Sequence, residues 1–342
     1  MRLTRVPDDP LPSHPPEVVG TIGNFDGVHR GHRALIARLI ERAAGKGLQS
    51  AVVTFDPHPL RVLRPELTLR LLSTADEKAE LFRPLGVDHL LVWRFDHQLQ
   101  QTDAAGFVEA LNHRVRLRHL LFGPGFALGR RREGTPDVIA ALGARMGFQV
   151  EEVTPYTSSA DEVVSSTVIR ALIADGEVER ATRALGRAPT VTGIVVPGER
   201  LGRTIGYPTA NLALDATMAV PADGVYAGWA EVAPFTPRAR RYPAAVSIGT
   251  RPQFDGARRA VEAYFLDFSG DLYGQTVRLH VVARLRGQER FADVPALVRQ
   301  IGRDVEQVRA LLHLPEVPGL DVATSRSPGL SESATAGGGR GT

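Results

Sequence analysis

The 342-residue sequence contains no cysteine. That excludes disulfides, thiolate chemistry and cysteine-ligated zinc or iron–sulfur centres, and nothing in the chain requires an oxidising compartment. Lysine is nearly absent: of the 41 Lys and Arg residues only Lys46 and Lys78 are lysine. Net charge is low, +3, and the basic residues are scattered except for Arg130-Arg131-Arg132, which reads as a solvated loop, so the clustered footprint of a nucleic-acid binder is missing. No apolar run approaches the ~20 residues of a membrane span, and the amino-terminal MRLTRVPDDPLPSHPPE carries charge and proline without an apolar signal core. A soluble, cytoplasmic protein is expected, with no nucleic-acid or membrane partner and no evident obligate protein partner.

What is present is organised around residues 18–32. Val18 to Ile22 suit a buried parallel strand, Gly23-Asn24-Phe25-Asp26-Gly27 make a glycine-containing turn, and Ala34 to Ile40 recur at helical spacing. Such a strand-to-helix turn is where open α/β sheets bind ligands. His29 and His32, three residues apart at the helix start, can face one anion beside unpaired backbone N–H groups, and phosphate is the natural guest. Capping and packing are the competing role for either histidine.

Strand patterns near 18–23, 50–55, 87–92, 118–122 and 148–153 alternate with helical patterns near 31–43, 75–84, 103–113 and 135–146. That alternation predicts a doubly wound parallel sheet. His58, in Phe55-Asp56-Pro57-His58-Pro59, falls at the carboxyl edge of the second strand beside the first turn. Ser165-Ser166-Thr167 open a helix with hydroxyls suited to N-capping, and Arg170 follows one turn in, placed to reach a polyphosphate at that helix start. Capping alone accounts for Ser165 or Ser166 about as well as function does.

After Gly186-Arg187 the apolar period falls to two, with strands near 190–197, 224–232, 242–249, 259–268 and 276–285. Short strands without intervening helices predict a small antiparallel barrel. A last helix follows, with Asp293 as its N-cap and Val294, Leu297, Val298, Ile301, Val305, Val308 and Leu312 on one face. The expected units are therefore 1–185 and 186–314, with a disordered tail at 315–342. Between the first two barrel strands, Gly198, Gly202 and Gly206 permit close approach to an anion, yet the spacing is one residue short of a P-loop and Arg203 stands in place of its lysine. Glu262 is a lone carboxylate on an otherwise apolar strand, which is costly unless it works or is paired.

These motifs, in this order, resemble the bacterial bifunctional riboflavin kinase/FAD synthetase family. Residues 23–32 match its G-x-F-D-G-x-H-x-G-H signature, 55–59 its F-x-P-H-P element, 165–170 its S-S-T-x-x-R, and 202–211 its G-R-x-x-G-x-P-T-A-N. The resemblance implies an HxGH-type nucleotidylyltransferase sheet followed by a kinase barrel: riboflavin and ATP give FMN, then FMN and ATP give FAD and pyrophosphate. It implies that Gly23, Asn24, Phe25, Asp26, Gly27, His29, His32, Ser165, Ser166, Thr167 and Arg170 serve the adenylylation nucleotide. By the same resemblance His58, Gly123, Phe126 and Gly129 serve the flavin. Gly198, Gly202, Arg203 and Gly206 serve the kinase ATP, Thr209 and Asn211 ligate its Mg2+, and Glu262 is the catalytic base. Four positions depart from the family: Gly125 replaces an acid or amide, Leu128 replaces an aromatic, and Ser247 and Gln253 replace asparagine and threonine. The rival readings are a kinase with weakened FAD synthesis, a nucleotidylyltransferase for another phosphorylated substrate, and a non-catalytic binding module.

Overall fold

The computed structural model describes residues 1–154, 164–198, 201–253 and 256–312, with only the backbone of Leu201, 251–253 and 256–258. The tail expected at 315–342 lies outside the described residues, as does the side chain of Gln253.

The amino-terminal half is an open parallel sheet. Its elements run β1 (Arg2–Val6), β2 (Glu17–Ile22), α1 (Arg30–Gly45), β3 (Gln49–Asp56), α2 (Pro59–Leu63), α3 (Ala75–Phe82), β4 (His89–Arg94), α4 (His97–Gln101), α5 (Ala104–Arg114), β5 (Arg116–Phe122), α6 (Pro136–Met146) and β6 (Gln149–Glu152), in sheet order β1-β4-β3-β2-β5-β6. Because successive strand residues point to opposite faces, Val18, Val53, Leu91 and Leu120 pack under α5 and α6, while Val19, Val52, Leu90 and Leu121 pack under α1 and α3. Both faces are covered, which is why the strands read as continuous apolar runs. The order reverses beside β2, so the turn into α1 sits at the switch point. One strand escapes the sequence pattern: β1 pairs parallel with β4 and buries Val6, but its five residues are too short and too polar to stand out.

Two helices, α7 (Ser166–Ala174) and α8 (Val178–Leu185), join the halves. Ile169, Ile173, Ala181 and Leu185 pack with Leu72 from the first half and Ala219 from the second, and Val178 reaches the barrel core. The Gly186–Arg187 joint is thus part of a packed seam. Further pins cross it: Thr192 Oγ1 donates to Glu77 Oε1 at 2.9 Å, Arg278 pairs with Glu80, and Leu71 bridges Met218.

The second half runs β7 (Thr190–Val196), α9 (Leu201–Thr204), β8 (Thr209–Leu214), β9 (Gly224–Val232), β10 (Arg240–Gln253), β11 (Gly256–Phe265), β12 (Thr276–Arg286) and α10 (Val294–Leu312). The six strands close into an antiparallel barrel, β10-β11-β8-β7-β12-β9. Thr209-Ala210-Asn211 of the P-T-A-N stretch, expected as a connection, open strand β8, and the short helix α9 precedes it. Asp293 Oδ1 caps α10, accepting from Ala296 N at 2.7 Å. Val308 of α10 is buried, but Val294, expected on the same face, is 51% exposed.

Candidate active sites

The first site is built on the turn between β2 and α1. Phe25, Gly27 and Val28 all have positive φ, at 47°, 80° and 41°. For a β-branched valine this is a strained conformation of the kind that clusters where backbone must approach a ligand. Asp26 is buried and points inward: its carboxylate accepts from Leu72 N at 2.9 Å and Ser73 N at 3.1 Å, and pairs with Arg170 Nη2 at 2.7 Å. Asp26 therefore clasps the turn to the segment before α3 and to α7. Ser166 Oγ donates to the Asp26 carbonyl at 2.9 Å, and Ser165 caps α7 by accepting from Val168 N. Thr167 and Asn24 are exposed.

His29 is the N-cap of α1, its Nδ1 accepting from His32 N at 3.3 Å. That bond assigns the proton of the neutral ring to Nε2, which is then a donor. The two imidazoles stack with centroids 3.6 Å apart. A Cβ on Gly31 would sit 3.2 Å from the His29 ring, and one on Gly23 3.1 Å from the Phe25 ring, so side chains there would crowd the rings. Burial lowers His29 to about 4 against the opposing pull of Asp26. Burial, then the neighbouring His29 and Lys78, holds His32 well below the ordinary histidine range. Both rings are neutral at pH 7. His58 caps α2, is buried, and is lowered to about 4 by burial; it too feels Asp26, Lys78 and Arg170, so the fold brings it to the same pole.

Beyond β5 a loop carries Gly123, Phe126 and Gly129. Phe126 stacks on Phe122 at 4.7 Å, and Gly129, at φ 76°, leaves no room for a Cβ against Ala104 N. Gly125 has φ 69° with open space around it. This is the left-handed region that glycine tolerates freely and Asn or Asp tolerate better than other residues, so the departure at 125 removes a side chain and leaves the loop path unstrained. Arg130, Arg131 and Arg132 are exposed, as expected of a solvated loop.

The second site is a cavity of about 290 Å³ between the outer face of the barrel and α10. Glu262 on β11 lies directly opposite Asn211 on β8 and Ser247 on β10, so register places all three side by side. Val261 and Ala263 point the other way, into the barrel core. Thr209 Oγ1 donates to Glu262 Oε2 at 3.0 Å. The roof is locked by an ion pair that sequence reasoning missed: Arg286 donates to buried Asp304 of α10 at 2.8 and 3.0 Å. Where Ser247 replaces asparagine, its hydroxyl accepts from Gln288 Nε2 at 3.2 Å. Gly198 leaves no room for a Cβ against the Asn211 side-chain amide as placed, nor Gly202 against the Tyr207 carbonyl; Gly206 has φ 87°, and Arg203 is exposed.

Lys78, Thr54 and Arg187 were also invisible to motif reading, although they border the first site. Thr54 Oγ1 donates to the Asn24 carbonyl, Lys78 Nζ to Thr54 Oγ1, and Arg187 to the Gly27 carbonyl. One signal was available: a lysine retained in a chain that otherwise uses arginine.

The fold is thus a parallel sheet with a histidine pair at its switch point, joined to a barrel whose cavity holds a carboxylate beside hydroxyl and amide oxygens. Residues 11–168 match the FAD synthetase family model and residues 185–312 the riboflavin kinase model. The chain is 36% identical over 289 residues to the bifunctional riboflavin kinase/FMN adenylyltransferase of Escherichia coli strain K12, covering 83% of this chain and 89% of that one. It is 38% identical over 296 residues to the enzyme of that name from Pseudomonas fluorescens, covering 86% and 92%. A crystal structure described as a macrolide-efflux protein from Streptococcus pneumoniae superposes with TM-score 0.78 at 31% identity, covering 87% and 95%. Among the described residues no helix is long and apolar enough to cross a membrane. The chain belongs to the bifunctional riboflavin kinase/FMN adenylyltransferase family, and it is a riboflavin kinase and FMN adenylyltransferase.

Proposed function

We propose that the barrel cavity is the kinase site and the histidine-pair turn the adenylylation site, with the residues divided as follows. Glu262 takes the proton of the riboflavin 5′-hydroxyl as its oxygen bonds to the γ-phosphorus of ATP; the bond to the β,γ-bridging oxygen breaks and ADP leaves. The observation carrying this is the 3.0 Å Thr209–Glu262 hydrogen bond inside the cavity. It fixes the carboxylate and, because the threonine proton is directed at Glu262, turns the hydroxyl lone pairs to the cavity. With the Asn211 amide oxygen alongside, the donor set is the hard-oxygen kind that suits Mg2+. Thr209 and Asn211 would hold that ion, which when bound neutralises phosphate charge. Gly198, Gly202, Arg203 and Gly206 border the nucleotide.

At the other site a phosphate oxygen of FMN bonds to the α-phosphorus of ATP, pyrophosphate leaves, and no covalent enzyme intermediate forms. The His29 Nε2–H, the His32 ring and the α1 N–H groups donate to the phosphates. Arg170, held by Asp26 through Nη2 and by the Arg70 carbonyl through Nε, keeps Nη1 for a phosphate. Gly23 to Gly27 and Ser165 to Thr167 shape the nucleotide pocket, and His58, Gly123, Phe126 and Gly129 border the flavin. The substrates are riboflavin, FMN and ATP. His32→Ala should lower FAD formation from supplied FMN by about 10²-fold or more while FMN formation from riboflavin holds, both read by chromatography of the flavins. Equal loss of the two activities would refute the division.

A further inference from the structure

The positive charge at the adenylylation site does not come only from the residues that the motifs single out. His29 and His32 are neutral near pH 7, and Arg170 is ion-paired with buried Asp26. Arg187 donates to the Gly27 carbonyl at 2.7 Å and its charge is felt by His29. Lys78, on α3, is different. It is 4% exposed, its Nζ donates to Thr54 Oγ1 at 3.3 Å and weakly to the Phe55 carbonyl at 3.5 Å, and Thr54 in turn donates to the Asn24 carbonyl of the phosphate turn. Among the described residues no carboxylate lies within ion-pair distance of it. Burial lowers its pKa from the ordinary lysine value, and the carboxylates that oppose this, Asp26 and Asp56, are more remote, Asp26 already serving Arg170.

Isolating an ammonium from water beside neutral partners is strongly unfavourable, and such a group is retained where an anion will meet it. α3 itself is well specified: Thr74 and Glu77 form a capping box, and Glu77 and Glu80 are pinned to the barrel. A helix this firmly anchored holds its one buried cation at a fixed place.

We propose that Lys78 is a positioning residue of the adenylylation site, whose buried ammonium, linked through Thr54 to the Asn24 carbonyl, supplies the fixed positive charge that the phosphates of ATP meet at the histidine pair. This rests on the assignment of FMN adenylylation to His29 and His32. The charge acts across the Thr54–Asn24 link: it favours the transferring phosphate and pyrophosphate, and it adds to the burial that keeps the His32 ring uncharged so that it acts as a donor. Fixed charges in a dry site cost no reorganisation during reaction.

Lys78→Met keeps the alkyl stem and removes the charge. In the full-length protein it should lower kcat/KM for FAD formation from FMN by about 10- to 100-fold. Riboflavin phosphorylation should be unchanged, and the melting temperature should stay level or rise, since a buried unpaired charge has been removed. The His32 and His58 ring resonances should titrate at higher pH than in the wild type, a readout that a purely structural lysine would not give at unchanged melting temperature. Lys78→Arg, which keeps the charge, should exceed Lys78→Met in FAD formation at least about five-fold. FAD formation within two-fold of wild type in Lys78→Met, or equal activity of the Met and Arg variants, overturns the proposal. So does a joint fall of both activities and of the melting temperature, which would make Lys78 a core residue. His32→Ala run in parallel separates the two levels: normal FAD formation there defeats the site assignment, whereas its collapse beside a normal Lys78→Met defeats the lysine proposal alone.

Discussion

Replacing Glu262 by glutamine tests the kinase assignment most sharply. Glutamine matches the carboxylate in size and can present a carbonyl oxygen where Glu262 Oε2 accepts from Thr209 at 3.0 Å. The hydrogen bond is therefore retained, and the folded state should change by no more than about 1 kcal/mol, the usual worth of one such bond. What is lost is proton acceptance. General-base catalysis contributes about 10²- to 10⁴-fold, which corresponds to a barrier rise of about 3–5 kcal/mol. FMN formation from riboflavin and Mg-ATP should collapse by that factor. Adenylylation of supplied FMN should persist, because His29, His32 and Arg170 lie at the sheet's switch point and not in the barrel. The assay is flavin chromatography after a timed reaction, with melting temperature measured on the same preparation. A variant that melts several degrees lower yet turns over at the wild-type rate would mean that Glu262 is a structural partner of Thr209, and the reasoning would be wrong.

Two further outcomes follow from the histidines. His58 falls from 6.5 to about 4 on folding because burial disfavours its charged form. The unfolded chain therefore binds the extra proton first, and stability that is full above pH 6.5 is lost as pH falls towards 4, by at most about 3 kcal/mol. His58→Asn keeps a side-chain cap for Leu60 N but cannot titrate, so in denaturant melts its stability relative to wild type should improve across that window; a pH-independent difference contradicts the burial argument. At Gly31, alanine gains about 1 kcal/mol of helix propensity, but its Cβ comes within 3.2 Å of the His29 ring. Gly31→Ala should thus leave the melting temperature level or slightly raised while FAD formation drops about ten-fold, and unchanged FAD kinetics would show that the stacked geometry is not needed.

The sequence by itself determined the architecture wherever a pattern was long and local. Continuous apolar runs marked the parallel strands, because both faces of that sheet are covered, and period-two alternation marked barrel strands that are apolar inward. Fixed spacings carried the motifs: His29 and His32 meet because a helix turn brings them together, and Asn211 and Glu262 because strand register does. β1 was missed because five half-polar residues become a strand only when β4 offers an edge. Tertiary structure alone decided where charges stand. Asp26 reads as a ligand residue in its motif, but burial turns it towards Leu72, Ser73 and Arg170. Lys78 carries no motif, and only the packing of α3 against the sheet brings its ammonium to Thr54. The seam between the halves, with α7 and α8 packed between sheet and barrel, rests on contacts such as Thr192–Glu77 between residues 115 apart in sequence. Such pairings depend on how two separately specified units dock, and local periodicity holds no record of that.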